Sequence, residues 1–301
     1  MTRQLIGVDW GTSNVRAWLI ADGRPIAQSQ STQGMSRIMA SEYPRALARM
    51  IEPWLSGAAS RNVIACGMLG AAQGWVEARY RTVPCKPVAP GELTAIATEL
   101  RDCTVHIIPG IRQFKPMADV MRGEETQVAG FCVDNPHFDG VLCLPGTHTK
   151  WVHVSAGEIV SFRSFMTGEL YDLLCRHSLL RHSVSSNEFC PDEFREAAGD
   201  QLSQPELLAA RLFAIRAESL IAGLEAARAG SRLAGFLVGA ELAASRPYWL
   251  GHRIAIIGAP RLAQSYEMAL DIVGQKPLLA DSERCTVAGL THAHSLCLNF
   301  P

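Results

Sequence analysis

Short apolar runs separated by turn residues dominate the first thirty residues. Residues 4–10 are an apolar run that contains Asp9 near its end, and a second run follows the turn at 11–14. Asp22-Gly23, a dipeptide typical of hairpins, leads into a third run. The pattern predicts three consecutive β-strands, with a carboxylate at the end of the first strand and a glycine-hydroxyl turn after it.

The same pattern returns in the middle of the chain. An apolar run is followed by a second glycine-hydroxyl turn and two further runs; Gly11 corresponds to Gly146, and Gly34 to Gly168 after one deletion. Such a turn offers backbone N–H and O–H donors and room for close approach, which phosphate oxygens require. The repeat therefore predicts a duplicated fold, with two lobes that face each other across a cleft and one phosphate-binding hairpin in each lobe.

The later apolar patterns predict helices and further strands. Segments 235–243 and 254–263 each predict a strand that runs into Gly-Ala and then a helix. Such a helix N-terminus suits an anionic ligand, and Gly258-Ala259 is the better candidate for the adenosine end of a nucleotide. Periodicity also predicts helices over 46–55, 91–101, 166–180, 191–199, 204–228 and 286–296, and buried strands over 62–66 and 105–108.

A glycine-rich loop follows the predicted strand 62–66. It carries Gln73 and Trp75, which combine a hydrogen-bonding group with a stacking surface, and loops at the carboxyl ends of strands commonly contact ligands. The alternative is a surface loop in which Trp75 packs into the core. The sequence supports the two interpretations equally.

A second polar stretch, residues 109–131, contains a dense cluster of charge. Such a run is usually the solvated face of a helix. Here it mixes both signs between two predicted buried strands, immediately before the second hairpin, which favours the start of a helix that faces a ligand. A carboxylate there could take a proton from a substrate hydroxyl. The charged residues are Arg112, Lys115, Asp119, Arg122, Glu124 and Glu125.

Composition narrows the class of protein. The chain has 301 residues, 48% of them hydrophobic, and a formal net charge of −1, so we expect a large core and no nucleic-acid or membrane partner. No window approaches the ~20 apolar residues of a membrane span, and Asp9 stands where a signal peptide would be apolar. The nine cysteines form no C-x-x-C pair, which favours free thiols in a reducing compartment. We expect a soluble, cytoplasmic protein.

Several well-known catalytic motifs are absent from the sequence. It contains no G-x-x-x-x-G-K-[ST], G-x-G-x-x-G, G-x-S-x-G or H-E-x-x-H, so a P-loop enzyme, a Rossmann dehydrogenase and an α/β-hydrolase lose support. Among the nine histidines, His148 is of interest because it lies in the second turn, where an imidazole could contact a phosphate.

Six blocks of the sequence resemble those of a known kinase family. The segment Asp9–Arg16 resembles the first phosphate motif of the sugar kinases in the actin/Hsp70/sugar-kinase superfamily. More narrowly, the chain resembles the 2-dehydro-3-deoxygalactonokinase family over essentially its whole length. The blocks are GVDWGTSNVRAW, CGMLGAAQGWVEARY, ADVMRGEETQVAGF, LPGTHTKWV, SFMTGEL and IIGAPRLA, of which ADVMRGEETQ and LPGTHTKW contain the specific motifs.

This resemblance implies a fold and an activity. The fold would be α/β, a duplicated RNase H-like (actin/hexokinase-type) two-lobe fold with a central ATP cleft. The expected lobes are residues 1–112, with the first phosphate hairpin, and 113–301, with the second hairpin and the adenosine-side loop. The activity would be transfer of the γ-phosphoryl group of ATP, with Mg²⁺, to the 6-hydroxyl of a small sugar acid, 2-dehydro-3-deoxy-D-galactonate, in galactonate catabolism.

The resemblance also implies residue roles. Asp9 would be the principal metal-side carboxylate, because the second hairpin reads Leu-Pro-Gly where many superfamily members have Asp-x-Gly-Gly. Alignment of Arg-Gly-Glu-Glu-Thr with related motifs selects Glu124 or Glu125 as the base, with Glu124 narrowly favoured, and Asp119, one or two helical turns earlier, is a third candidate. ATP contacts are expected at Gly11, Thr12, Ser13, Arg16, Gly146, Thr147, His148, Thr149, Lys150, Gly258 and Ala259, and sugar-acid contacts at Gln73, Trp75, Arg112 and Arg122.

Two other functions remain compatible with these motifs. An exopolyphosphatase-like hydrolase would use a Glu-Glu pair to orient water, although the near-neutral charge argues against a basic channel for polyphosphate. A non-enzymatic nucleotide-binding module of the actin/Hsp70 type would need no small-molecule substrate, although such proteins usually carry long extra domains or polymer contacts. The sequence leaves open whether the protein forms a homo-oligomer and which stereoisomer of the acid it uses.

Overall fold

The computed structural model describes residues 4–55, 62–98, 103–185 and 188–298. The strands in these residues are β1 (Gln4–Trp10), β2 (Val15–Ala21), β3 (Arg24–Ser31), β4 (Asn62–Gly67), β5 (Arg81–Thr82), β6 (Thr94–Ala97), β7 (Thr104–Ile107), β8 (Ile111–Gln113), β9 (Asp119–Met121), β10 (Gly140–Leu144), β11 (Thr149–Ser155), β12 (Glu158–Phe165), β13 (Ile254–Gly258) and β14 (Leu278–Asp281). The helices are α1 (Tyr43–Leu55), α2 (Glu124–Asp134), α3 (Thr167–His177), α4 (Pro191–Ser203), α5 (Leu208–Ile221), α6 (Ala226–Ala244), α7 (Arg246–Trp249), α8 (Pro260–Ile272) and α9 (Ser282–Leu298). Within the described residues, no helix combines the length and the apolar character that a membrane crossing requires.

The chain divides into two compact units. The first comprises Met1–Asp139, Val154–Phe162 and Ala280–Pro301, and the second comprises Gly140–His153 and Arg163–Leu279. This division differs from the expected boundary between residues 112 and 113, because α2 and the C-terminal helix α9 both belong to the first unit. Helix α9 packs against α2, β1 and β4, so the end of the chain completes the core of the unit in which the chain begins.

The two largest sheets have the same strand order over five strands. The first sheet runs β3-β2-β1-β4-β7-β6, and the second runs β12-β11-β10-β13-β14. In the first sheet β1 pairs antiparallel with β2 and parallel with β4; in the second, β10 pairs parallel with β13. Three consecutive strands followed by a parallel neighbour on the other side of the first strand form the RNase H-like arrangement, so the expected duplicated fold is confirmed.

Two glycines bring α2 and α9 into close contact in the first unit. A Cβ atom added at Gly130 would lie 1.8 Å from the carbonyl oxygen of Cys285, and one added at Gly289 would lie 2.0 Å from that of Thr126. Backbone atoms at these distances cannot yield by a side-chain rotation, so a larger residue would push the helices apart.

A Gly130→Ala variant is therefore expected to lose about 3 kcal/mol of unfolding free energy, because the added methyl group overpacks the α2–α9 contact. Urea unfolding measures the effect. Gly199→Ala in α4 is the matched control, since its Cβ atom would have Ile272 Cγ2 as its nearest neighbour, at 3.8 Å, and a helical alanine is favoured by ~0.5–1 kcal/mol over glycine. Equal stability of the two variants would contradict the close packing of α2 and α9.

Three predicted elements are wrong. Segment 235–243 is not a strand but part of α6, because Gly235 and Gly239 provide close contact with α4 one helical turn apart: added Cβ atoms would lie 2.5 Å and 2.4 Å from α4 carbonyl oxygens. The helix predicted over 204–228 is interrupted after α5 by Gly223, whose φ is +68°. The segment predicted as a helix over 91–101 contains β6, and residues 99–101 lie outside the described residues.

Candidate active site

The first glycine-hydroxyl turn joins β1 to β2. The Gly11 N–H donates to the Asn14 carbonyl at 2.8 Å, while Thr12 and Ser13 are exposed. Gly34 lies directly against the turn, since a Cβ atom there would be 2.4 Å from the Ser13 carbonyl carbon. The Gly34 backbone therefore packs directly against one side of the turn, and the hydroxyl residues of the turn are exposed to solvent.

The second turn, between β10 and β11, has the same backing. A Cβ atom at Gly168 would lie 2.3 Å from the Gly146 carbonyl oxygen, and the Glu169 N–H donates to the Thr147 carbonyl at 2.9 Å. Thr147 and His148 are exposed, and His148 Nε2 lies 2.5 Å from Glu169 Oε2. Gly34 and Gly168, which the sequence repeat pairs with each other, thus each pack closely against the backbone of their own turn.

Two residues predicted as phosphate contacts are enclosed at the start of β11. Thr149 is fully buried, and its Oγ1 lies 2.8 Å from the Tyr266 hydroxyl. Lys150 is 5% exposed. The Thr149 hydroxyl is therefore used inside the second unit and is not presented to a ligand, which corrects its predicted role; the alternation of strand side chains could not reveal this, because both faces of β11 are covered here.

A buried carboxylate, Glu241 of α6, lies behind this part of the second unit. It accepts hydrogen bonds from Trp151 Nε1 and the Tyr266 hydroxyl, both at 2.8 Å, and from the Thr167 hydroxyl. Burial raises its pKa to about 7. No sequence motif singled out Glu241, although a lone acidic residue inside an apolar segment was a usable signal.

The loop after β13 lies beside the second turn. A Cβ atom at Gly258 would be 3.5 Å from Pro145 Cδ, and Ala259 is exposed at the N-cap of α8. The parallel pairing of β10 with β13 causes this proximity, because both strands end at the same edge of the sheet. The position agrees with the predicted nucleotide-side role of Gly258 and Ala259, which stays a prediction.

In the first unit, Asp9 is held by residues on the two neighbouring strands. Arg16 is its partner in the β1–β2 ladder and donates from Nη2 to Asp9 Oδ2 at 2.7 Å. Cys66 is its partner on β4, with Sγ 3.7 Å from Oδ1. The Asp9 side chain remains 17% exposed, so it is oriented by the protein and still accessible.

The start of α2 places two adjacent carboxylates in different environments. Glu125 is fully buried, and both of its oxygens accept the Gly123 N–H, at 3.0 and 2.7 Å. Burial, and secondly the charge of Glu124, raise the pKa of Glu125 to about 7. Glu124 is half-buried and accepts the Arg122 N–H at 3.0 Å.

Glycines allow β1, β4 and α2 to meet at this point. Gly67, with φ +89°, lies against β1, where a Cβ atom would be 2.4 Å from the Trp10 carbonyl oxygen, and a Cβ atom at Gly123 would be 3.4 Å from Gly67 Cα. The pKa of the buried Cys66 thiol is raised by burial and then by the charges of Asp9 and Glu125. One carboxylate on β1 and one on α2 therefore lie near the same thiol.

The described position of Asp119 differs from the prediction. It lies on β9, paired with Gln113 of β8, and its Oδ1 accepts the Val120 N–H at 2.8 Å. Asp119 was expected one or two helical turns before Glu124; that expectation is wrong because the helix begins only at Glu124. Asp119 thus shares no helix face with the glutamates.

The two predicted loop contacts have different surroundings. Gln73 is exposed. Trp75 is half-buried and packs against a hydrophobic core cluster of the first unit, and its backbone N–H donates to the Leu69 carbonyl at 2.8 Å. The structure thus supports the core interpretation for Trp75 and leaves Gln73 accessible.

The two predicted arginines also differ. Arg112 is exposed on β8, with Nε donating to Thr82 Oγ1 at 3.1 Å and its guanidinium 5.0 Å from the centre of the Phe114 ring. The Arg122 guanidinium lies 4.3 Å from the Tyr80 ring centre, and its Nη2 donates to the Ala78 carbonyl at 2.8 Å. Arg122 therefore links the 67–80 loop to the end of β9, whereas Arg112 is exposed at the surface.

The raised pKa values of Glu125 and Glu241 predict a pH-dependent stability. A carboxyl group whose folded pKa lies near 7, above its usual value of 4.5, binds more protons in the folded state, so the unfolding free energy falls as pH rises between these two values. Each pKa unit contributes about 1.4 kcal/mol. Urea unfolding at several pH values should show the stability difference between wild type and Glu241→Gln narrowing as pH rises. A difference that is constant or widens would show that the Glu241 pKa is not raised.

Comparison with known proteins agrees with this geometry. A family model described as 2-keto-3-deoxy-galactonokinase matches residues 9–293. The probable 2-dehydro-3-deoxygalactonokinase of Rhizobium meliloti (strain 1021) is 36% identical over 95% of each chain. The 2-dehydro-3-deoxygalactonokinase of Escherichia coli (strain K12) is 33% identical over 91% of each chain.

A solved structure extends the similarity to the fold. The crystal structure of a protein from Sinorhizobium meliloti, described as a candidate 2-dehydro-3-deoxygalactonokinase, is 34% identical, has a TM-score of 0.90 and covers 99% of this chain and 98% of its own. These matches span nearly the whole chain and confirm the resemblance that the sequence motifs indicated. The chain belongs to the 2-keto-3-deoxy-galactonokinase family.

Proposed function

We propose that this protein transfers the γ-phosphoryl group of ATP to the 6-hydroxyl of 2-dehydro-3-deoxy-D-galactonate. The observation that carries the proposal is the pair of matching turns, each backed by a glycine, Gly34 or Gly168, at which no side chain fits. A duplicated turn rich in N–H and O–H donors suits a polyphosphate chain. Family membership supports this acid as the acceptor.

Each turn, taken within its own unit, would contact phosphate oxygens of ATP. Gly11, Thr12 and Ser13 are the contacts in the first unit. Gly146, Thr147 and His148 are those in the second unit, where Gly258 and Ala259 suit the adenosine end. Arg16, next to the first turn in sequence, could offset negative charge that develops during transfer, whereas the predicted contact Lys150 is enclosed and is the weaker candidate.

Mg²⁺ suits the donor set at Asp9. Across the described ranges, no three His, Cys, Asp or Glu side chains are grouped as a metal site. Mg²⁺ usually binds one or two carboxylates together with waters and substrate phosphates, so a single oriented carboxylate fits. Asp9 would hold the ion through its waters, and the ion would neutralise charge on the phosphate oxygens.

Glu124 would be the base. As the substrate 6-oxygen attacks the γ-phosphorus and ADP leaves, the hydroxyl proton would pass to the Glu124 carboxylate. Its partial exposure supports this role, because a carboxylate as enclosed as Glu125 reaches a substrate only after local rearrangement. Glu125 would instead orient the start of α2 through Gly123, and Asp119 on β9 is the weakest of the three candidates.

The acid's carboxylate would bind Arg112. Its Nε bond to Thr82 and its contact with Phe114 orient the guanidinium and leave both Nη groups for a carboxylate. Arg122 would act indirectly by holding the 67–80 loop. Gln73 would contact substrate hydroxyls, with Trp75 anchoring the loop beside it.

An Arg112→Gln variant is expected to raise KM for the sugar acid about 10–100-fold, which corresponds to the 1.5–3 kcal/mol of a hydrogen bond to a charged group. KM for ATP should stay within twofold. Steady-state kinetics with each substrate varied in turn measure both values. Arg24→Gln, at another exposed arginine, is the control. A wild-type KM for the acid in Arg112→Gln would assign the carboxylate to another residue.

A coupled assay of ADP formation tests the proposed function. The purified protein is given ATP, Mg²⁺ and a small panel of 2-keto-3-deoxy sugar acids, and the product is identified by mass spectrometry and ³¹P NMR. We expect the highest kcat/KM with 2-dehydro-3-deoxy-D-galactonate and a phosphate on its 6-oxygen. No turnover of any acid, or phosphate release from polyphosphate instead, would contradict the proposal.

A further inference from the structure

Glu241 is more extensively bonded than a residue that only fills the core of the second unit. It is 3% exposed and binds Trp151, Tyr266 and Thr167. The Tyr266 hydroxyl in turn lies 2.8 Å from Thr149 Oγ1. Five side chains from β11, α3, α6 and α8 thus form one buried hydrogen-bond network.

Three members of the network adjoin segments that are expected to bind nucleotide. Thr149 directly follows the second turn. Thr167 precedes Gly168, which abuts the Gly146 carbonyl oxygen. Tyr266 belongs to α8, the helix that begins after Gly258 and Ala259. One carboxyl group therefore links, through hydrogen bonds, the residues that adjoin the proposed nucleotide-binding segments of the second unit.

The carboxyl group of Glu241 suits this network. Its oxygens accept hydrogen bonds from an indole N–H and two hydroxyls. An apolar residue of similar size would leave these buried donors unpaired, and a glutamine would direct its own N–H groups at some of them. A network with every member paired specifies one arrangement of the segments that it joins.

We propose that Glu241 is a positioning residue for the nucleotide, which holds the second turn, the start of α3 and the loop before α8 in their binding arrangement. The inference rests on the proposed function, because it assumes that these segments bind ATP. The proposal predicts different effects on the two substrates. Because the proposed sugar-acid contacts lie in the first unit, loss of Glu241 should weaken the binding of ATP and leave the binding of the acid unchanged.

The test compares nucleotide binding by wild type and Glu241→Gln. Calorimetry with a non-hydrolysable ATP analogue and Mg²⁺ gives Kd without any acceptor, and steady-state kinetics give both KM values. We expect Kd and KM for the nucleotide to rise at least tenfold, while KM for the sugar acid stays within twofold. A purely structural role would lower the unfolding midpoint without this selectivity.

Glu193→Gln is the matched control. Glu193 is also a buried carboxylate of the second unit, 8% exposed, and is ion-paired with Arg228 and Arg232 of α6; among the described residues, its side chain makes no bond to the nucleotide segments. This variant should lose stability and keep wild-type nucleotide affinity. If it loses nucleotide affinity as strongly as Glu241→Gln, the effect is general destabilisation and the proposal is overturned.

Tyr266→Phe is the variant for the nucleotide-binding test if Glu241→Gln does not fold. It removes one donor from the network and should raise the nucleotide Kd about three- to tenfold. A wild-type Kd in whichever of these two variants folds overturns the positioning role. Wild-type protein that binds the analogue but phosphorylates none of the acids would refute the proposed function alone, and the Kd comparison would still decide the role of Glu241.

Discussion

Replacing Asp9 by Asn is expected to lower kcat about 10²–10³-fold, the range seen when one oriented group that stabilises transition-state charge is removed. The amide keeps the size of the side chain and can still accept a hydrogen bond from Arg16, so the fold should survive. It loses the negative charge that attracts Mg²⁺. The coupled ADP assay at saturating substrates measures the change, and thermal unfolding checks that the variant is folded.

Two further measurements make the Asp9 prediction specific. Raising the Mg²⁺ concentration should recover part of the lost activity, because the weakened site fills at higher metal. Asp139→Asn changes an exposed carboxylate of the same unit, which accepts from the Ser155 hydroxyl at 2.6 Å, and should leave kcat unchanged. Near-wild-type kcat in Asp9→Asn at low Mg²⁺ would remove Asp9 from the metal site.

Glu124→Gln is expected to lower kcat about 10²–10⁴-fold, the contribution of a positioned general base. KM for both substrates should change little, since the amide keeps the shape of the side chain and loses only the ability to take a proton. Rapid-quench measurement of a single turnover would show that the chemical step itself is slowed.

Glu125→Gln separates the two adjacent glutamates. Both carboxylate oxygens of Glu125 accept the Gly123 N–H, and in the variant one of them is replaced by an amide NH₂ group that cannot accept. We therefore expect a loss of unfolding free energy of about 1–3 kcal/mol and less than a tenfold change in kcat. The reverse result, with Glu125→Gln inactive and Glu124→Gln active, would make Glu125 the base. Its pKa of about 7 would then appear as a kinetic pKa in the kcat profile.

The pattern along the chain was sufficient for the features that depend on neighbouring residues. Strand periodicity and Asp22-Gly23 predicted β1 to β3, and the glycine-hydroxyl turns with their second glycines predicted the duplication that the two sheets show. The motifs around Asp9, Arg122 and Gly146 indicated the family. Local signals sufficed here because the strand pattern and the turn chemistry are set by a few consecutive residues.

Only the tertiary structure decided which of the chemically suitable side chains are accessible. Sequence motifs favoured Glu124 over its neighbour Glu125 only narrowly, whereas in the structure Glu124 is half-buried and Glu125 is enclosed. Thr149 bonds to Tyr266, 117 residues later, and the C-terminal helix α9 completes the first unit. Burial and hydrogen-bond partners depend on contacts between residues far apart in the chain. No local pattern could therefore have distinguished a hydroxyl that binds phosphate from one that is hydrogen-bonded inside the protein core.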